Sequence, residues 1–468
     1  MAEQSLNPET LEPKVRAVGG TEYSWCRAVP GGTGITVLAL LLSKPPDLST
    51  LQNALHKLQN SHPILRSKLT SSSTATNTFS FIIPPISSLQ IKSFDLSSTS
   101  NLLQTLSNSD TRSPVSPFHH ILEHELNQNP WSDPDDSGTD MFFASVYDLS
   151  DTKWVVALRI HTAVCDLTAA VSLLRELLGT RLIGEKEVDE ELGNDGEVSL
   201  GIEDLIPRGK DQKPFWARGI DMLGYSLNSF RLSNLDFKDA DSPRVSEMVR
   251  LQMDPDECGR LLAACKARGI KLCGALAAAG LMAAHSSKHL PDYQWEKYSV
   301  VTLIDCRKIL DPPLDSQHPG FYHSAIVNTH DVNGGEKLWE LARRCYMSFA
   351  NAVDSNKHFS DMNDLNFLMC KAIDNPGLTP SSSLRSSFIS VFADGVIDDS
   401  SEIHQDVGLE DCVGCASVHG IGPSIAIFET IRDGKLDCAC VYPSPLHSRE
   451  QMLELIDNMK KILLEGTD

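Results

Sequence analysis

The chain has 468 residues, of which 41% are hydrophobic and 22% are charged, and a formal net charge of −21. This length exceeds what one hydrophobic core usually serves, so we expect two domains of ordinary globular composition. Nucleic acids and anionic lipid surfaces are bound through surplus lysine and arginine, so the negative charge argues against both as partners. No apolar run reaches about 18 residues, which predicts a protein that does not span a membrane.

The amino terminus, MAEQSLNPETLEPKV, shows neither a basic region followed by an apolar run nor an acid-poor transit peptide, so we expect a cytoplasmic protein. The 12 cysteines lack the spacing of a disulfide framework and indicate reduced core residues. Cys412 and Cys415, with Cys438 and Cys440, have a spacing that a structural zinc site could use. Core packing is the simpler interpretation, because Cys438 and Cys440 would face the same side of a strand, and we predict no metal.

In the first half, apolar residues recur at helical spacing from Leu51 to Leu58 and predict a helix followed by an extended segment, HPILRSKL. The stretches TSSSTATNT and DLSSTSNLLQTLSNSDTRSP are interpreted as surface loops. HHILEHE, at residues 119–125, matches no zinc-protease motif and is interpreted as a solvated helix face. MFFASVYDL and WVVALRIHTAV, joined by the turn SDTK, predict a β-hairpin that leads into the helix LTAAVSLLRELL.

An acidic, glycine-punctuated stretch divides the chain. We interpret residues 183–213 as a linker between an N-terminal half, residues 1–182, and a C-terminal half, residues 214–468.

In the C-terminal half, Asp254, Pro255 and Gly269 predict the N-cap, the first residue and the terminator of a helix. The segment LCGALAAAGLMAAHSS predicts a second, buried helix. Ser448 and Gln451 predict a capping box for a closing helix. Five segments between these helices predict strands: YSVVTLIDCRK, SAIVNTH, SSFISVFAD, PSIAIFETI and KLDCACVYP. Mixed strands and helices in each half indicate an α/β or α+β fold.

The order of these elements and several local phrases resemble the coenzyme-A-dependent acyltransferase superfamily, which includes chloramphenicol acetyltransferase, peptide-synthetase condensation domains and plant BAHD acyltransferases. The resemblance covers nearly the whole chain and is carried by HPILRSKL, IHTAVCDL, LCGALAAAGLMAA, TLIDCRKIL and PGFYHSAIVN. The chain is most similar to plant condensation-domain-like proteins, since it lacks the Asp-Phe-Gly-Trp-Gly motif of BAHD enzymes. The resemblance implies an α/β (α+β) fold of two chloramphenicol-acetyltransferase-like halves with mixed sheets and a tunnel between them.

IHTAVCDL falls on the superfamily signature His-His-x-x-x-Asp-Gly and departs from it at two positions. His161 stands at the first histidine, Thr162 replaces the second histidine, and Leu167 replaces the glycine. In the superfamily the second histidine is the general base that takes a proton from the acceptor. A threonine hydroxyl is not basic near neutral pH, and His161 would point to the opposite face of the strand.

Three further positions follow from the resemblance. The signature aspartate, Asp166, is structural in the superfamily and pairs with an arginine, for which Arg66 and Arg307 are the candidates. Alternatively, Asp166 caps the helix that follows it, and both roles are compatible. His323 and His419 are candidate replacement bases, with a hydrogen-bonded structural role as the alternative for each.

The resemblance therefore implies an acyltransferase that moves an acyl group from an acyl-CoA thioester to a hydroxyl or amine of a small metabolite. Acyl-CoA would be a cosubstrate, with no permanently bound cofactor, and we expect a monomer. The alternative is a non-acylating member of the fold, either a ligand-binding pseudoenzyme or an enzyme that uses the tunnel for elimination or cyclisation. The sequence leaves open whether the donor is coenzyme A or a carrier-protein thioester.

Overall fold

The computed structural model describes residues 12–72, 78–107, 115–133, 138–179, 198–214, 218–219, 232–379, 382–398 and 405–467. Helices and strands are mixed along the chain, which confirms the predicted α/β (α+β) class. The strands are β1 (Lys14–Ala17), β2 (Thr33–Leu42), β3 (Lys68–Ser72), β4 (Thr78–Ile83), β5 (Ile91–Phe94), β6 (Thr139–Asp140), β7 (Phe142–Ser150), β8 (Lys153–His161), β9 (Val245–Met253), β10 (Glu296–Asp305), β11 (His323–Val332), β12 (Arg385–Phe392), β13 (Val396–Asp398), β14 (Leu409–Val418), β15 (Gly422–Arg432) and β16 (Lys435–Ser444). The helices are α1 (Gly20–Ala28), α2 (Leu48–Ser61), α3 (Leu96–Ser107), α4 (Pro117–Leu126), α5 (Leu167–Gly179), α6 (Pro255–Ala267), α7 (Leu272–Ser287), α8 (Leu338–Asp354), α9 (Lys357–Ser360), α10 (Met362–Asp374) and α11 (Arg449–Glu465).

The strands form three sheets. The N-terminal half contributes a four-stranded sheet, with the order β1-β4-β3-β6, and most of a five-stranded sheet, with the order β14-β2-β8-β7-β5. The sheet of the C-terminal half has the order β11-β10-β12-β15-β16-β9, and β13 pairs with β15 beside this path. Strand β12 runs parallel to both β10 and β15, whereas β15, β16 and β9 are successively antiparallel. In the five-stranded sheet β5 runs parallel to β7, while β8 is antiparallel to both β7 and β2. Both large sheets are therefore mixed, as the resemblance implies.

Strand β14 joins the two halves. It lies in the C-terminal part of the sequence but pairs with β2 in the N-terminal sheet, from Leu409 opposite Leu42 to Val418 opposite Thr33. Sequence analysis predicted neither β14 nor β9. The domain boundaries stay a prediction, since most of the acidic part of the linker lies outside the described residues, but the two halves share a sheet.

Local capping signals agree with the structure. The Asp254 side chain accepts a hydrogen bond from the Glu257 backbone N–H at 2.8 Å, and the Glu257 carboxylate accepts from the Asp254 N–H, so α6 begins with a complete capping box. Helix α7 has the predicted bounds. At α11 only half of the predicted box forms, because the Gln451 amide donates to the backbone oxygen of Asp236 instead.

Two interpretations of segments before residue 108 were wrong, and a third lies partly outside the described residues. The segment DLSSTSNLLQTLS contains α3, which begins after Asp95 accepts a hydrogen bond from the Ser98 N–H at 2.8 Å. HPILRSKL is not extended throughout, because Pro63–Arg66 forms a 3₁₀ turn before β3. TSSSTATNT contributes ends to β3 and β4, and its centre lies outside the described residues.

Helix α4 is also not a solvated face, although it contains HHILEHE. Its Glu123 accepts from Arg449 at 2.6 Å, and its Glu125 accepts from Arg159 and from the hydroxyl of Tyr147. Burial of these carboxylates is possible because each has a cationic partner supplied by a distant part of the chain, which sequence spacing does not reveal.

One hydrophobic cluster crosses the boundary between the two halves, where β14 and the C-terminal sheet meet the N-terminal sheet; we call this boundary the seam. It combines residues of the N-terminal sheet and α5 with Met248, Phe392, Phe428 and Val441 from the C-terminal sheet. A second cluster fills the C-terminal half, where α7 and α11 pack together and Cys438 and Cys440 are buried. Cys415 belongs to the first cluster, so these cysteines lie in different cores.

The described residues lack two kinds of feature. No group of three or more histidine, cysteine, aspartate or glutamate side chains among them is arranged to hold a metal ion. Within the same residues, no single helix is long and apolar enough to cross a membrane. Helices α6 and α7 together have that length and apolarity, but the chain bends by 105° between them.

Candidate active site

The first signature residue, His161, is the last residue of β8 and is fully buried. Its Nδ1 accepts a hydrogen bond from the Ala163 backbone N–H at 3.1 Å, which places the proton of the neutral ring on Nε2. The ring meets Trp131 edge to face, with the centroids 5.1 Å apart. Burial lowers the pKa of His161 to about 3, so the ring stays neutral near neutral pH. These contacts describe a packed structural side chain.

Thr162 has different surroundings. Its Oγ1 lies 2.7 Å from the Oγ1 of Thr36, on the neighbouring strand β2, and 5% of the residue is exposed. Thr162 is the first residue of the 3₁₀ turn Thr162–Val164 that follows β8, and its side chain has different neighbours from that of His161. Two hydroxyls share this hydrogen bond and only one of their protons is needed for it, so the other can be donated elsewhere. The pair can donate a hydrogen bond but cannot act as a base.

Residues 161–167, which carry the signature, form a segment that we call the signature loop. Asp166 connects this loop to the C-terminal half. Its carboxylate lies 2.9 Å from Nη2 of Arg307 and accepts a hydrogen bond from the Tyr322 N–H, also at 2.9 Å. It also accepts from the Ala169 N–H at 2.9 Å, so Asp166 caps α5 and pairs with an arginine at once. Burial alone would raise the pKa of Asp166, but Arg307 and His323 together hold it well below its ordinary value. The carboxylate is therefore charged near neutral pH.

Arg307, like Asp166, is buried and makes several polar contacts. The guanidinium, 1% exposed, donates to Asp305 at 3.1 Å and to the backbone oxygen of His318, and it lies over the ring of Tyr322 at 5.0 Å. Burial would lower the pKa of Arg307, but Asp166 and Asp305 raise it. Arg66, the other predicted partner, donates to the backbone oxygens of Pro84 and Gln59.

His323 lies beside the same carboxylate. It is the first residue of β11, 3% exposed, and its Nδ1 is 3.0 Å from Oδ2 of Asp166. The contact is short without the alignment of a good hydrogen bond. The structure thus places one of the two candidate bases next to the signature aspartate.

His419 occupies another part of the seam. Its Nδ1 is 3.0 Å from Oγ of Ser246, and its ring fills the space above Gly32, where a Cβ would lie 1.8 Å from Nε2. Only glycine is compatible with this approach, and Gly32 also has a φ of +94°. Burial and the nearby Arg385 lower the pKa of His419 to about 4. Of the two candidate bases, His419 is more exposed to solvent than His323. Among the described residues, the hydrogen-bond partner of its side chain is Ser246 and not a residue of the signature loop.

A cavity of about 860 Å³ opens at the seam. One wall is strand β14, and the other is formed by β9, β15 and β16 of the C-terminal sheet, with Phe428 among the lining residues. Six of the lining side chains are acidic and four are basic. Arg250 crosses between the walls, since it donates to Asp411 at 2.5 Å and also to Asp437.

Sequence comparison gives one match. Residues 242–367, from the segment before β9 into α10, match the family described as the C-terminus of phthiocerol/phthiodiolone dimycocerosyl transferase. No curated protein is similar enough in sequence to count as a match.

Comparison with solved structures covers the whole chain. TRI3 trichothecene 15-O-acetyltransferase from Fusarium sporotrichioides is similar over 98% of this chain and 98% of its own, with a TM-score of 0.71 and 12% identity. The chain has the fold of the condensation-domain-like acyltransferases. The EpoB NRPS cyclization-docking bidomain from Sorangium cellulosum is similar over 98% of this chain and 88% of its own, with a TM-score of 0.68 and 14% identity. Polyketide synthase associated protein 5 from Mycobacterium tuberculosis is similar over 97% and 99%, with a TM-score of 0.63 and 14% identity.

Within this condensation-domain-like fold, sequence analysis missed several residues of the site. Thr36 carries no motif, and only the pairing of β2 with β8 brings it to Thr162. The backbone N–H of Tyr322 is a ligand of Asp166 that no side-chain pattern encodes. Trp131 covers His161 from a segment that follows α4. Each contact depends on register or on a loop path, and neither can be read from local spacing.

Proposed function

We propose that this protein transfers an acyl group from an acyl-CoA thioester to a hydroxyl or amine of a small metabolite. The observation that carries the proposal is the pair of Asp166 and Arg307, which ties the signature loop to the opposite half inside a fold that extends over nearly the whole chain. A fixed contact between the two halves can hold two reactants in a defined relative position. Positioning alone can contribute a factor of about 10⁵ or more to a rate.

Thr162 then acts without taking a proton. Its hydroxyl pair with Thr36 has one proton to donate, which suits the oxygen that becomes negative when the thioester carbonyl is attacked. A base contributes typically about 100-fold to 10,000-fold, so its absence at position 162 lowers the rate without removing the reaction.

The charge of the cavity bears on how the two substrates would be placed. An excess of carboxylates in the lining disfavours the phosphates of coenzyme A and favours a neutral or cationic acceptor. We therefore assign the cavity beside β14 to the part of the acceptor that does not react, since neither Thr162 nor His323 is among its lining residues. The TRI3 enzyme, whose name describes acetyl transfer to an oxygen, is a precedent for an O-acceptor in this fold.

The second candidate is a non-acylating role, and the Thr36–Thr162 hydroxyl pair favours it because no basic group stands at the usual position. The EpoB structure, named for cyclization, is a precedent for other chemistry on this fold.

Acyl-CoA thioesters incubated with panels of alcohols and amines should yield acylated products detectable by mass spectrometry, with equal release of free thiol. A Thr162→His variant should be faster than the native protein if the site is built for acyl transfer. No product and no thiol release from either protein, together with tight binding of a small ligand, would establish the second candidate instead.

A further inference from the structure

A row of aromatic rings connects the cavity with the signature loop. Phe428, in the cavity lining, lies 5.7 Å from Phe392, and Phe392 meets the ring of His323 edge to face at 5.4 Å. From His323 the row continues to Phe321 at 6.0 Å and to Trp25 at 5.0 Å. Helix α1, which carries Trp25, packs against the turn Thr162–Val164. His323 is thus the titratable ring in a largely apolar row across the seam.

We propose that His323 is the proton acceptor of this site, oriented by Asp166, in place of the histidine that is missing at position 162. This inference rests on the proposed acyl transfer. A carboxylate 3.0 Å from Nδ1 favours the tautomer with the proton on Nδ1, which leaves Nε2 free to accept one. Catalytic hydrogen bonds are commonly long or poorly aligned before substrate binds, so the imperfect alignment at Nδ1 is compatible with this role.

The proton balance is complete without another reactant. The acceptor oxygen or nitrogen attacks the thioester carbonyl carbon while its proton moves to Nε2 of His323. The tetrahedral intermediate then expels the thiolate as the C–S bond breaks, and the imidazolium returns the proton to that sulfur. The products are the ester or amide and the free thiol, and His323 is regenerated as the neutral ring.

Asp166 can serve His323 without losing its structural contacts. Arg307 and the N–H groups of Tyr322 and Ala169 already stabilise its negative charge. A carboxylate held charged in this way stabilises the imidazolium that forms during the reaction. Asp166 is therefore a positioning residue that acts through His323.

The other histidines fit the role less well. His161 has Nδ1 engaged with the Ala163 N–H and is fully buried. Among the described residues, the hydrogen-bond partner of the His419 ring is the hydroxyl of Ser246 and not a carboxylate.

The test compares His323→Asn with His330→Asn. Asparagine at position 323 keeps a nitrogen near the Nδ1 position toward Asp166 but has no base, whereas His330 lies on the same strand with similar burial, 4% exposed. We expect His323→Asn to lower kcat/KM for thiol release about 100-fold or more, and His330→Asn to leave it within about twofold. In the native protein, kcat/KM should increase with pH and then reach a plateau. In His323→Asn, this increase of kcat/KM with pH should be absent.

A structural role for His323 predicts a different result, in which His323→Asn is slower but keeps the increase of kcat/KM with pH. That result overturns the proposal, and so does an unchanged rate. A His323→Ala variant with added imidazole gives a second measurement, because recovery of the rate by imidazole requires a missing base. A native protein that releases no thiol from any acyl-CoA contradicts the proposed function itself, whereas a native protein that is active beside an equally active His323→Asn contradicts only the assignment of His323.

Discussion

Two buried carboxyl groups in this protein have opposite surroundings. Asp166, at the seam between the halves, is 3% exposed and is stabilised by Arg307, His323 and two backbone N–H groups. Glu429, within the C-terminal half, is 1% exposed, and its carboxylate oxygens have no hydrogen-bond partner among the residues that the structure describes.

The charge state follows the partners and not the burial. Burial raises the pKa of Glu429 to about 8 and outweighs the opposing effect of the backbone at Glu429 and Phe392. The pKa of Asp166 falls below its ordinary value. The seam is therefore a fixed ion pair, and the core group is a neutral acid near neutral pH. Asp166 is charged because the opposite half supplies Arg307, whereas Glu429 has no such partner among the described residues.

Removing the counter-charge at the seam should have the largest effect. Arg307→Met leaves Asp166 buried without its cation, which we expect to lower the free energy of unfolding by about 3–5 kcal/mol in urea denaturation. A loss below about 1 kcal/mol would show that the backbone N–H groups alone suffice for Asp166.

The core carboxyl should make stability depend on pH. The pKa of Glu429 is raised in the fold, so its contribution is fully present below the ordinary pKa of a glutamate and is lost as pH rises toward about 8. The contribution of Glu429 to the free energy of unfolding should fall by an amount on the order of 3 kcal/mol between about pH 5 and pH 8. It is read from the difference between the native protein and Glu429→Gln, because the buried neutral rings of His161 and His419 shift the native curve in the opposite direction.

Glu429→Gln should remove the contribution of Glu429 from the slope, because the amide has no charge to release, and its stability relative to the native protein should therefore rise with pH. The matched control is Glu454→Gln on the exposed face of α11, which should leave the slope unchanged. Equal slopes in the native protein and Glu429→Gln would mean that the carboxylate is stabilised in the fold after all.

A neutral buried pair should matter less than either charge. Thr36→Val removes the hydroxyl partner of Thr162 at nearly constant volume, and we expect a loss of about 1 kcal/mol in the free energy of unfolding. The same change should slow acyl transfer if the hydroxyl pair donates to the substrate oxygen. An unchanged rate of thiol release would remove Thr36 from the site.

An exposed ion pair should matter least. Lys271 and Asp394 are 2.7 Å apart, but their side chains are 44% and 69% exposed. Lys271→Ala should change the free energy of unfolding by less than about 1 kcal/mol. A loss comparable to that of Arg307→Met would contradict the view that burial of partnered charges, and not their number, holds the seam.

Much of the fold followed from the sequence, and much of the site did not. Helices α6 and α7 were predictable because a capping box and a small-residue face are local signals. Strand β14 was not, since its pairing with β2 joins positions more than 360 residues apart, between Leu409 and Leu42. The signature loop itself was predictable from resemblance.

The contacts around that loop depended on the tertiary structure. Arg307 was one of two candidate partners for Asp166, and only the seam places it there. His323 was proposed as a base from its segment alone, whereas its approach to Asp166 comes from the way β11 begins at the seam.

Calorimetry of the native protein with short acyl-CoA thioesters tests the central claim, that the seam forms a thioester-binding acyl-transfer site. The account predicts saturable heat with a dissociation constant in the micromolar range at moderate salt. No binding of any acyl-CoA to the folded protein would contradict it, and the seam would then belong to a non-acylating member of this fold.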